Sequence, residues 1–161
     1  MGRLEDEMKA QRRRDAEWAA KEAQWSAEAS RIRVEFVQLM QRHRVPTEPL
    51  FAKGEGTFPS GLFRTKRKTL STYSHIGEVW LVQAGEWQGN WTAMTTNAEL
   101  WEVTTVSFRG QEVHSYPGYD DRAKRELLAV GCIRVRSRPC VYGNRPQVAE
   151  PLATAATRLL G

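Results

Sequence analysis

From Leu4 to His43 the chain contains neither proline nor glycine, and Ala, Glu, Arg, Lys and Gln dominate it. Nothing there breaks a helix and most of it favours one, so one long, charged α-helix over residues 1–44 is expected. Alternate steps of four and three from Leu4 pick out Met8, Gln11, Asp15, Trp18, Glu22, Trp25, Ala29, Ile32, Phe36, Leu39 and His43, a heptad seam. Asp15 and Glu22 fall where a dry coiled-coil interface wants aliphatic side chains, which argues against a long tight coiled coil. From Ala29 onward Val37 and Met40 widen the apolar stripe, as expected where a helix lies on a globular core. Trp18, Trp25, Ile32, Phe36 and Leu39 are the candidate surface for a partner helix or a second copy of the chain. The alternative is a solvated helix docked only by its last turns.

Val45-Pro46 ends the helix, because proline disfavours the α conformation in the residue before it. Glycines and prolines punctuate residues 45–61, so 45–69 reads as a linker carrying a basic cluster. Strand patterns follow over 70–138. Tyr73 to Ala84 holds the nearly continuous apolar run Val79-Trp80-Leu81-Val82, which suggests a strand covered on both faces. Trp87 to Thr95, Leu100 to Phe108 and a short Glu112 to Tyr116 segment continue an antiparallel meander. Asp120 is placed to cap a helix over Asp121 to Val130, and Cys132 to Arg136 reads as a last strand. The tail, 139–161, holds a short amphipathic helix between Gln147 and Leu160, with Pro151 near its start. The expected fold class is α+β: a long N-terminal helix, a three- or four-stranded antiparallel sheet with one packed helix, and a short C-terminal helix. The order helix, meander, helix resembles the double-stranded-RNA-binding fold in topology. Asp121-Arg122-Ala123-Lys124-Arg125 is similar to the basic start of that family's second helix, although acids stand where the family places lysines.

The chain's 161 residues suffice for one core plus an extension, and 40% apolar residues can drive its folding. No apolar run approaches the roughly 20 residues of a membrane span, so no membrane partner is expected. Glu5-Asp6-Glu7 followed by Arg12-Arg13-Arg14 does not read as a secretory or organellar leader. With only Cys132 and Cys140 present, a cytoplasmic protein with reduced thiols is the expectation.

A net charge of +5 permits a phosphate-bearing partner. Two clusters hold cations closely. Arg64, Lys66, Arg67 and Lys68 lie within five positions, and such a run is stable only where it is solvated or neutralised by a partner. In an extended segment Arg134, Arg136 and Arg138 share one face, a row suited either to a phosphate chain or to ion pairs with Glu99, Glu102 or Glu112 on a neighbouring strand. Trp87 and Trp91 offer stacking surfaces for bases or, more ordinarily, core packing. His75, His114, Cys132 and Cys140 lack the close pairs of a zinc site, and nothing marks an oxyanion hole, so neither metal, cofactor nor catalytic residue is assigned. The leading expectation is a non-enzymatic module that contacts DNA, RNA or another polyanion through Arg64, Lys66, Arg67, Lys68, Arg134, Arg136 and Arg138, with dimerisation through the helix. The alternatives are an assembly adaptor acting through that helix, and an enzyme of a type the motifs do not reveal.

Overall fold

In the computed structural model, which describes residues 2–63, 65–107, 129 and 131–161, the uninterrupted helix-forming stretch becomes helix α1, Arg3–Arg42. Its end is a Schellman motif. Arg44 takes a left-handed φ of 53°, its N–H donates to the Gln41 carbonyl at 3.0 Å, and the Val45 N–H donates to the Met40 carbonyl at 3.0 Å. Met40 and Val45 pack into the same apolar cluster, the contact that usually accompanies this motif.

Five strands follow: β1, Glu48–Ser60; β2, Lys66–Ala84; β3, Asn90–Thr95; β4, Leu100–Ser107; and β5, Cys132–Pro139. A single 3₁₀ turn, Pro146–Val148, then leads into helix α2, Ala149–Leu160. Pro151 does not interrupt α2, because it sits in the first turn, where a backbone N–H has no helical acceptor. Each strand is antiparallel to the one before it, so the first and fifth run the same way. The barrel closes through the parallel pairs Leu50↔Arg134 and Phe51↔Val135. Register shifts at Leu50/Phe51, Leu81/Gln83 and Glu102/Val103 bend the strands, as closure of so small a barrel requires.

Closure explains the apolar run in β2. Trp80 and Val82 face outward beneath the helices, where they join Met94, Leu100 and the α1 residues Ala29, Phe36, Val37 and Met40. Val79 points the other way and packs with Leu50, Ala93 and Val103, one residue from each of four strands. The strand covered on both faces is therefore lined by the barrel interior on one side and two helices on the other. A further cluster joins Phe51, Tyr73, Ile133 and Val135. The tail belongs to the core, since Cys140, Val148, Leu152 and Ala155 are buried against α1.

Two expectations need correction. Residues 45–61 are not a linker: all but the ends form β1, whose Leu50 and Phe51 are as buried as any core residue. Among the described residues the sheet has five strands and closes on itself, so the topological resemblance to the double-stranded-RNA-binding fold does not hold. The expected strand Glu112 to Tyr116 and helix Asp121 to Val130 lie outside the described residues. Among the described residues no helix is long and apolar enough to cross a membrane.

Candidate functional site

β1 meets β5 only at Leu50 and Phe51, and β2 meets β3 only from Val79 to Ala84. Between Lys53↔Tyr73 and Ser60↔Lys66, the two strands pair only with each other among the described residues. This is a two-stranded arm. Gly61, with φ of 93°, begins the turn at its tip, and the next two side chains, Leu62 and Phe63, are 94% and 82% exposed. Lys53, Lys66 and Arg67 are exposed on it, with Lys66 and Arg67 directed to opposite faces by strand alternation. The body of the arm is slender. A side chain at Gly54 would meet Thr72 Oγ1 at 3.0 Å, and Gly56, Thr57, Thr65 and Thr69 fill neighbouring positions. Positions 53–72 carry Lys53, Arg64, Lys66, Arg67 and Lys68 against the single acid Glu55, which accounts for most of the chain's net +5.

The arginine row is broken by the β4–β5 bulge. Thr105↔Arg134 and Val103↔Arg136 place those two arginines on one face of the sheet. Glu102↔Arg138 puts Arg138 on the other, because Ser137 is the extra residue. Each guanidinium also has a partner. Arg134 Nε donates to Glu48 at 3.1 Å and its terminal nitrogen to Thr105. Arg136 lies over the Trp101 ring at 4.4 Å, and Arg138 is hydrogen-bonded to Glu102, which holds its pKa above the ordinary arginine value. The ion-pair alternative describes Arg134 and Arg138 better than an open phosphate row, and Glu102 was among the partners expected.

The proposed helix interface is divided too. Phe36 is 4% exposed in the barrel contact, and Ile32 and Leu39 pack against the same cluster, so these three are not free for a partner helix. Trp18 and Trp25 stand edge to face with centroids 5.7 Å apart. Arg145 covers Trp25 at 5.0 Å and reaches Glu22 at 3.2 Å, so the chain itself uses one of the seam's acids. Trp18 remains 54% exposed beside an open, largely apolar cleft of about 880 Å³ that includes Val141 and Pro146.

A second groove, of about 640 Å³, follows the outward row Gln83, Thr92, Glu102 and Arg138, one residue from each of β2 to β5. Tyr142 overhangs it, donating its hydroxyl to Gln83 Oε1 at 3.0 Å, and burial holds that phenol above the ordinary tyrosine pKa. Trp87 is 75% exposed at one end, whereas Trp91 packs against the barrel cluster, so the two are not matched stacking platforms. His75 lies 3.4 Å from Glu78 and against Phe51, while Cys140 is buried under the helices. Both cysteines are free thiols, and no group of three potential metal ligands occurs among the described residues. His114 lies outside them.

Sequence reasoning found the basic run but missed Lys53, Leu62 and Phe63. The signal was there in Ser60-Gly61, where the turn between the two strands begins, but the glycines on the first segment disguised it as a linker. No protein-family model matches the chain, and neither does any curated protein or solved structure.

Proposed function

We propose that the chain is a non-enzymatic module that grips nucleic acid by laying the β1–β2 arm along its phosphate backbone. One observation carries this reading: the paired strands of a slender ribbon, set apart from the barrel's ion-paired surfaces, carry Lys53, Lys66, Arg67 and Lys68 against the single acid Glu55. Lys66 and Arg67, on opposite faces, suit a groove with phosphates on both sides, and the nearby Thr65 and Thr69 supply short hydroxyl donors. A two-stranded ribbon is narrow enough to enter the major groove of a duplex. Arg134, Arg136 and Arg138 shape the barrel in this reading and leave contact to the arm.

Binding of this type is electrostatic and weakly dependent on sequence. Three to five phosphate contacts give a plot of log affinity against log salt with a slope of about −3 to −4.5 on duplex DNA. Fluorescence anisotropy with duplex DNA and duplex RNA across a salt series is the test. Absence of binding at low salt, or affinity indifferent to salt, refutes the reading.

A second reading is self-association through the free half of α1. It is favoured by the exposure of Leu4, Met8 and Trp18, at 70%, 49% and 54%, along one helical stripe. Light scattering that finds a monomer at all concentrations, with no change on Trp18→Glu, removes it.

A further inference from the structure

The arm ends in two apolar side chains that the fold leaves uncovered. Leu62 and Phe63 are 94% and 82% exposed, the highest values among the large hydrophobic residues described. In the sequence Arg64, Lys66, Arg67 and Lys68 follow them directly, so a ligand that meets the tip must also satisfy a densely positive segment. Gly61 turns the chain at a positive φ, and the ladder from Lys53 to Ser60 braces the tip from behind. A braced apolar tip with cations behind it can enter a stack of bases while the cations hold the flanking phosphates.

We infer that Leu62 and Phe63 form a wedge that inserts between adjacent base pairs of a duplex and kinks it. The inference rests on the nucleic-acid reading above and adds the substrate class, stacked duplex deformed at one step. The slender body, a ribbon of two strands with Gly54 and Gly56 on one of them, favours this ligand over a lipid surface because it fits a duplex groove. Duplexes with flexible pyrimidine–purine steps are preferred, because those steps unstack at least cost.

The test uses the full chain and a short duplex carrying a donor–acceptor pair on its ends and 2-aminopurine at a central step. The wild-type protein brings the ends together, with a bend of about 20–90°, and raises the 2-aminopurine emission. The double variant Leu62→Ala/Phe63→Ala keeps the salt slope of binding but loses both signals; because both residues are exposed, the fold tolerates the change. Binding by the wild-type protein without bending or unstacking overturns the wedge and leaves the nucleic-acid reading intact. Absence of salt-dependent binding overturns both. Phosphatidylserine vesicles serve as the other arm: Phe63-dependent partitioning onto them, with an unbent duplex, assigns the tip to lipid and overturns the inference.

Discussion

Replacing Phe36 with alanine tests what holds the long helix to the barrel. The ring is 4% exposed and meets the Trp80 ring edge to face, with centroids 6.3 Å apart. Removing roughly 150 Å² of buried aromatic surface, at about 25 cal/mol per Å², costs about 4 kcal/mol. The measured range for Phe→Ala in cores, about 3–5 kcal/mol, includes the cavity left behind. For a chain of this size each kcal/mol lowers Tm by about 2–4 °C, so a fall of about 6–20 °C is expected. That is a large part of a total stability of about 5–15 kcal/mol, yet it leaves a folded protein at room temperature. Urea unfolding followed by both far-ultraviolet circular dichroism and tryptophan fluorescence reads it, with Leu4→Ala as the control, because Leu4 is 70% exposed and its loss should change stability by less than about 0.5 kcal/mol. A Phe36→Ala loss below about 1 kcal/mol, or a helix transition separate from that of the tryptophans, refutes the view that α1 and the barrel share one core.

Three smaller predictions concern single contacts. Arg44→Gly stabilises the protein by about 0.5–1 kcal/mol in the same unfolding assay, because Arg44 holds a φ of 53° at the helix end where glycine carries no Cβ strain. Arg33→Met destabilises by about 2 kcal/mol, since the guanidinium donates from α1 to the Ala98 carbonyl at 2.8 Å and also to the Gly143 carbonyl, tying two turns to the helix. Tyr142→Phe flattens the alkaline limb of the stability profile. The folded-state phenol titrates above its unfolded value, so the stability it contributes is complete below a pH of about 10 and is lost as the pH climbs through the folded value. Denaturation midpoints measured from neutral to strongly alkaline pH, falling equally in both proteins, contradict that assignment.

The helix was legible because its signal is local: composition and the absence of breakers suffice, and the widening stripe at Phe36, Val37 and Met40 marked the docked half. The run Val79 to Val82 likewise announced two covered faces. What the sequence hid depends on distant pairing. β1 carries Gly54, Gly56 and Pro59, poor strand formers taken singly, and becomes a strand because thirteen residue pairs from Glu48↔Val79 to Ser60↔Lys66 hold it against β2. The arginine row failed for a related reason. Strict alternation predicts one face, but Ser137 inserts an extra residue opposite β4 and turns Arg138 to the other side, and no local pattern announces a bulge. The heptad spacing of Trp25 points to a partner helix, whereas Arg145, 120 positions further along the chain, covers its ring.

In the proposed mode of binding, charge on the arm, and not the arginines of β5, meets the polyanion. Salt-dependent anisotropy on one duplex, with Lys66→Glu/Arg67→Glu set beside Arg138→Gln, tests it most directly. Lys66 and Arg67 are exposed, and the Arg138 side chain is 70% exposed, so each protein should keep its fold, which circular dichroism verifies. The predicted result is that the arm variant loses tight binding and its salt slope flattens by about 0.9 for each phosphate contact removed, while Arg138→Gln binds as the wild-type protein does. Unchanged binding by the arm variant, or a loss confined to Arg138→Gln, would contradict that mode of binding.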